Sequence, residues 1–170
     1  MQDVDEMAVA SLINKGDLKN AEILVKEALR KNKMNGKAWF LRGLISLKRG
    51  EFDYAIEAIN LAIAFKYVDD YVYRALGYAY FNRLDLREAL NSFSKVVDKE
   101  VDDYFMIAAA YMLLHDPKSA REFINMAYEQ DPKRTKELLI EFYRTFIRPA
   151  NELTEKEKEF LLKKINSIKV

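Results

Sequence analysis

Four alanines recur along this chain at a nearly constant interval. Ala21, Ala55 and Ala89 stand 34 residues apart, and Ala120 follows 31 residues later. A fixed period of this length is typical of a repeat protein, in which each unit buries its apolar face only against its neighbours. The spacing therefore predicts an array of similar units, and it favours a binding scaffold over an enzyme.

Alignment on these alanines defines four repeats and a different C-terminal segment. The repeats occupy 2–35, 36–69, 70–100 and 101–132, and residues 133–170 form a degenerate helix pair with a capping helix. Half of the chain is apolar, and only five Gly and three Pro interrupt it. Such a composition favours long helices with short turns. We predict an all-α fold of antiparallel helix pairs, with 1–170 as a single domain.

Further columns align with the alanines and orient each helix. A small residue, Gly43 or Gly77, stands twelve positions earlier in two repeats, and a large aromatic residue, Trp39 or Tyr73, stands sixteen positions earlier. Positions four apart share one face of a helix, so the first helix pairs a large aromatic side chain with a small residue in three of the four repeats, and the first repeat has Asp5 at the aromatic position. We assign one set of residues to packing between helices: Ala21, Trp39, Gly43, Ala55, Tyr73, Gly77, Ala89 and Ala120.

An acidic residue precedes each of the four alanines by four positions. These residues are Asp17, Glu51, Asp85 and Asp116. A carboxylate at the start of a helix can accept hydrogen bonds from its free amides. The column predicts the start of the second helix in every repeat.

These columns resemble the tetratricopeptide repeat, with its W-x2-L-G-x2-Y, A-x3-F and P pattern. The third repeat matches most fully, with Tyr73, Leu76, Gly77 and Tyr80 followed by Ala89 and Phe93. The second repeat departs from the pattern, because Arg42 and Ser46 stand where Leu and Tyr are usual. The resemblance implies a right-handed superhelical α-solenoid.

The C-terminal segment predicts two more helices. One is strongly apolar and ends at Pro149, and Thr154 with Glu157 forms a capping box for the last helix. We expect the last helix to cover the open end of the array.

Few residues offer chemistry. The chain has no Cys, and its one histidine, His115, lies in a turn. The acidic pairs Asp69-Asp70 and Asp102-Asp103 fall where helices begin, so capping explains them better than a metal ion does. No nucleotide-binding or zinc-protease motif occurs. We expect no enzyme activity and no cofactor.

Charge and hydropathy bound the partners and the location. The formal net charge is +1, and the basic stretch at 133–170 interleaves Lys and Arg with Glu. This pattern disfavours a nucleic-acid partner, although helical repeats can bind RNA. The N-terminus lacks the features of a signal peptide, and the longest apolar run, 105–114, is too short to span a membrane. We expect a cytoplasmic protein that binds no membrane.

The resemblance also implies a concave groove lined by the first helices. In the family, certain positions of each first helix face the groove, and the same positions in this chain form an apolar, aromatic surface. This surface would bind a peptide or helix of a protein partner. Lys37 and Lys48 lie at its edges. Its predicted members are Phe40, Leu41, Leu44, Tyr71, Arg74, Tyr78, Phe81, Phe105 and Met106.

Two alternatives remain open at this stage. The same side chains could be core, covered by the last helix or by a tight superhelix. Another possibility is a homo-oligomer, in which the groove or the last helix pairs with a second copy.

Overall fold

Antiparallel helix pairs follow one another along the chain, as the alanine spacing predicts. The computed structural model describes residues 5–169, and within that range it contains helices and turns but no strand. The all-α prediction is thereby confirmed. The helices are α1 (Glu6–Asn14), α2 (Leu18–Lys31), α3 (Gly36–Arg49), α4 (Phe52–Ala64), α5 (Asp70–Asn82), α6 (Leu86–Ser94), α7 (Val101–Leu113), α8 (Pro117–Gln130), α9 (Pro132–Phe142), which continues as a π-helical turn over Tyr143–Ile147, and α10 (Glu155–Asn166).

The chain divides into two compact units, one ending at Val97 and the other beginning at Asp98. The boundary falls near the end of the third repeat, between α6 and α7, where the alanine interval shortens from 34 to 31 residues. The shortening has a structural origin, because α6 ends at Ser94, about one turn earlier than the second helices α2 and α4. The predicted single domain over 1–170 did not include this boundary.

The first unit is built in two layers. The first helices α1, α3 and α5 pack side by side, and each also packs against the second helix of its own repeat. Each second helix α2 and α4 also touches the first helix of the following repeat. This arrangement gives the first-helix layer an outer surface that the second helices do not cover.

Small residues let the two layers approach each other closely. Ala21, Ala55 and Ala89 are completely buried in the second helices. A methyl group added at Gly43 would stand 2.6 Å from Ile59 Cγ1, a distance at which two carbon atoms clash. Helices that pack this closely need a small residue at each crossing point.

The large aromatic residues predicted for packing lie beside these notches and are partly buried. Trp39 packs against the core clusters on both sides of α3, and its indole Nε1 donates to the Lys33 carbonyl at 2.8 Å. The Lys95 ammonium lies over the Tyr73 ring, 5.4 Å from its centroid. In the second unit the packing residue is Ala120, which is 2% exposed.

The turns between the paired helices repeat a single backbone conformation. Gly16, Gly50, Leu84 and His115 occupy equivalent positions, and all four have φ between 59° and 77°. This left-handed conformation ends a helix and suits glycine best. His115 is therefore a turn residue of the repeat, as its place between two helices suggests.

The acidic column begins the second helices, as predicted. Asp17 and Asp116 each accept a hydrogen bond from the backbone amide three residues later. Glu51 and Asp85 occupy the same cap position without a side-chain cap hydrogen bond. Two of the four carboxylates thus act as caps, and Asp85 instead pairs with Arg83 at 2.7 Å.

The second unit combines the fourth repeat with the C-terminal helices. Helix α9 packs against both α7 and α8, and α10 packs against α9. The predicted capping box of α10 is present, because the Thr154 amide donates to Glu157 Oε2 at 2.8 Å. Lys136 donates to the Asn166 and Ile168 carbonyls, which ties the end of α10 to α9.

Candidate functional site

Two of the predicted groove residues on α3 are buried between neighbouring first helices. Leu41 is 1% exposed and belongs to the cluster that α1, α2 and α3 share. Phe40 is 5% exposed, and its ring lies 5.6 Å from that of Tyr67. Both side chains are core because α3 packs against α1 on one side and against α5 on the other.

Two further aromatic residues of the predicted groove are also buried. Phe81 at the end of α5 is 6% exposed, and Phe105 on α7 is 4% exposed. Phe105 meets Phe142 of α9 edge to face, with ring centroids 6.3 Å apart. Helix α9, rather than the last helix, covers this part of α7. These two residues therefore present little surface to a ligand in this conformation.

The remaining groove residues keep accessible surface. Tyr71 on α5 is 67% exposed, and the Arg74 guanidinium carbon lies 5.5 Å from its ring centroid. One turn further, Tyr78 is half-buried and meets the Phe93 ring edge to face at 5.5 Å. Leu44 on the neighbouring α3 is half-buried. We call these four residues the first-helix patch.

Charged and amide side chains surround the first-helix patch. Lys37 pairs with Glu6 of α1 at 3.1 Å, and Glu6 also accepts a hydrogen bond from the Tyr67 hydroxyl. Lys48 is exposed at the end of α3, and Asn82 is exposed at the end of the neighbouring first helix α5. Arg74 adds a third cationic group to this border, and Asp70, directly before Tyr71 on α5, adds a second acidic one.

Within the second unit, Met106 on α7 is partly exposed, unlike its neighbour Phe105. Arg134 of α9 donates two hydrogen bonds, of 2.5 and 3.0 Å, to the carboxylate of Asp102, which also lies on α7. This ion pair raises the pKa of the guanidinium. The pair links α9 to α7, on which α9 also covers Phe105.

Sequence reasoning missed a cavity on the other side of α3. It measures about 230 Å³ and lies between α2, α3 and α4, with Trp39, Arg42, Ser46 and Tyr54 in its lining. Its lining includes Arg42 and Ser46, the two residues at which the second repeat departs from the repeat pattern. The cavity shares no lining residue with the first-helix patch.

Across residues 5–169, no group of three or more His, Asp or Glu side chains could hold a metal ion. His115 is exposed in the α7–α8 turn. The perturbed carboxyl groups belong to ion pairs and helix caps: Glu22 has its pKa lowered to about 2 by hydrogen bonds from Lys26 and Arg49. In the described part of the chain, no helix has the length and apolarity needed to cross a membrane.

Comparison with known proteins gives a consistent family result. The family profile described as tetratricopeptide repeat matches residues 4–142, which is well over half of the chain. The fold is also similar to the crystal structure of YrrB, described as a TPR protein with an unusual peptide-binding site. That match has a TM-score of 0.72 at 15% identity and covers 95% of this chain and 82% of the other. The search of curated proteins gives no match.

Proposed function

Because this chain belongs to the tetratricopeptide repeat family, we propose that it is a scaffold that binds a peptide segment of a partner protein on the first-helix patch. Repeats of this family generally serve as non-catalytic protein-interaction scaffolds, and the similar fold of YrrB is described with a peptide-binding site. The observation that carries the proposal is the exposure of Tyr71 beside Arg74 on α5.

An exposed tyrosine next to an arginine is a favourable contact for a peptide. Tyrosine offers a large, rigid contact area at small entropic cost, and Tyr and Arg are enriched among residues that dominate binding energies. Half-buried Tyr78 and Leu44 continue the apolar surface along α5 and across to α3. A segment lying over them would bury apolar area on two neighbouring helices.

The charges at the border suggest what the peptide carries. Three cationic groups, Lys37, Lys48 and Arg74, stand beside two acidic ones, Glu6 and Asp70, and Glu6 is paired with Lys37. Complementary charge speeds association and selects among partners. We therefore expect an apolar or aromatic anchor flanked by acidic residues.

The test is a selection of short random peptides on the full-length protein, followed by affinity measurements with variants. Tyr71→Ser and Arg74→Ala should each weaken the selected peptides about 10-fold or more, as expected for contacts that dominate an interface. The matched control is Ile23→Ser, which alters a similarly exposed apolar side chain on α2 of the second-helix layer. It should leave affinity unchanged.

Thermal unfolding of the same variants separates binding from folding. Tyr71 is largely exposed, so its replacement should shift stability by only about 0.5 kcal/mol. The proposal would be contradicted if the selected peptides bound the Tyr71→Ser variant as tightly as the wild type. It would also be contradicted if Ile23→Ser lowered their affinity as much as Tyr71→Ser does.

A further inference from the structure

The cavity between α2, α3 and α4 arises from the sequence of the second repeat. One position of the first helix faces one position of the second helix in each repeat. Only in the second repeat do both positions hold small residues, which are Ser46 and Ala58. The corresponding pairs in the other repeats are Leu12 with Leu24, Tyr80 with Ser92, and Tyr111 with Phe123.

The fourth repeat shows how these positions are otherwise filled. Tyr111 and Phe123 stack there with ring centroids 5.7 Å apart and an interplanar angle of 16°. In the second repeat the same space is left open to a volume of about 230 Å³. A water molecule takes up about 30 Å³ in the liquid, so the cavity has room for one amino-acid side chain.

A third substitution places a cation at this opening. Arg42 occupies the position at which the third and fourth repeats bury Leu76 and Ile107. The Arg42 guanidinium carbon lies 5.1 Å from the Trp39 ring centroid, and the Trp39 indole is fixed by its hydrogen bond to Lys33. Stacking engages the face of a guanidinium and leaves its N–H edge able to donate.

The other charged groups in the lining do not form ion pairs with Arg42. Glu22 pairs with Arg49 at 2.7 Å and with Lys26 at 2.8 Å, so its charge is already balanced by two cations. Glu57 is exposed on α4 and also lines the cavity. Among residues 5–169, neither Arg42 nor Glu57 has an ion-pair partner within 4 Å.

We propose that this cavity receives a single acidic side chain, Asp or Glu, of a partner segment, with its carboxylate bound by Arg42. Tyr54 is 66% exposed in the lining and provides an aromatic contact for the residue next to that acid. Glu57 limits the affinity for a carboxylate and thereby makes the site selective for an acid placed close to Arg42.

This site is distinct from the first-helix patch. Successive residues of a helix are 100° apart, so Arg42 and Ser46 lie on the opposite face of α3 from Leu44 and Lys48. A partner bound at the cavity contacts the second-helix layer through Tyr54 of α4. The two sites can therefore be removed one at a time.

The experiment uses the full-length protein and the capped tripeptide acetyl-Leu-Glu-Leu-amide, followed by NMR. Trp39 is the only tryptophan, so its indole N–H signal reports on the cavity without ambiguity. The glutamate probe should shift this signal saturably. The matched acetyl-Leu-Gln-Leu-amide should bind about 10-fold or more weakly, because a hydrogen bond to a charged group is lost.

Variants of the cavity complete the test. Ser46→Tyr copies the third repeat and should fill the space, which abolishes the shift while thermal unfolding stays at or above that of the wild type. Arg42→Gln keeps the cavity open and should reduce binding to the level of the glutamine probe. Glu57→Gln should strengthen glutamate binding several-fold, because a like charge is removed from the lining.

Several outcomes would overturn the proposal. These are equal binding of the glutamate and glutamine probes, the lack of any saturable shift with the glutamate probe, and unchanged binding by Ser46→Tyr. Tighter binding of acetyl-Leu-Gln-Leu with a free terminal carboxylate would assign the site to chain ends instead of acidic side chains. Tyr71→Ser should leave all these titrations unchanged, so failure here and failure of the first-helix patch can be told apart.

Discussion

Gly77 of α5 faces the ring of Phe93 of α6 so closely that a methyl group on its α-carbon would stand 2.8 Å from the ring atoms Cε2 and Cζ. The Phe93 ring is completely buried and cannot swing into solvent. The approach of these two helices in the third repeat therefore depends on the absence of a side chain at residue 77.

Gly77→Val should destabilise the first unit. Overpacking of a tight core costs about 1–3 kcal/mol, and the branched side chain of valine places this change at the upper end of that range. Urea denaturation monitored by circular dichroism measures the loss. The matched control is Ala64→Val at the exposed end of α4, which should change the free energy of unfolding by less than about 0.5 kcal/mol.

A second substitution identifies the cause of the loss. Phe93→Leu shortens the side chain that meets residue 77, so in combination with Gly77→Val it should cost less than the sum of the two single changes. Strict additivity would place the strain of Gly77→Val somewhere other than the contact with Phe93.

Phe142→Ala should destabilise the second unit by about 3–5 kcal/mol, because truncation of a buried phenylalanine leaves a cavity. Phe142 is 7% exposed, packs edge to face on Phe105, and lies 4.8 Å from the Phe146 ring. Hydrogen exchange of the α7 and α9 amides measures the effect within this unit.

Phe160→Ala provides the control in the same unit. Phe160 of α10 is 59% exposed, so the same chemical change should alter stability by less than about 1 kcal/mol. Equal losses from the two variants would contradict the role of Phe142 as the cover of Phe105.

Several features of the fold follow from residue spacing alone. The buried alanines, the close-packed Gly43 and Gly77, and the capping box at Thr154 all depend on residues near in sequence or equivalent between repeats. A regular period fixes these contacts, because each repeat meets its neighbour in the same way.

Burial of the groove residues did not follow from spacing. Leu41 and Phe40 are inward positions by family analogy, yet Leu41 packs with residues of α1 and α2, and Phe40 packs with residues of α4 and α5. Phe105 is covered by α9, a helix outside the 34-residue pattern. How closely neighbouring first helices approach, and where a non-repeating segment docks, depend on long-range packing that a single sequence does not reveal.

The cavity could have been found from the sequence by comparing repeats in pairs of positions. Ser46 alone reads as a departure from the pattern, but Ser46 together with Ala58 removes both side chains that fill this space in the fourth repeat. The relevant signal was a pair of small residues on facing helices, and a column-by-column alignment does not display such pairs.

The ion pairs of Glu22 predict a dependence of stability on pH. Hydrogen bonds from Lys26 and Arg49 lower the pKa of Glu22 from 4.5 to about 2. A carboxyl group with a lower pKa in the folded state contributes stability that is fully present above the unfolded value and is lost as the pH falls through the folded value. The contribution of Glu22 should therefore be complete above pH 4.5 and disappear toward pH 2.

Glu22→Gln should accordingly lower the melting temperature at pH 7 and have a much smaller effect near pH 2. The Glu22 side chain retains 30% of its exposure, so solvent screening limits the loss to roughly 1 kcal/mol or less. Melting temperatures of wild type and variant across this range give the difference directly. Arg49→Met should reproduce part of the effect, since its guanidinium donates to Glu22 at 2.7 Å. A difference of constant size at every pH would show that Glu22 contributes through packing instead of charge.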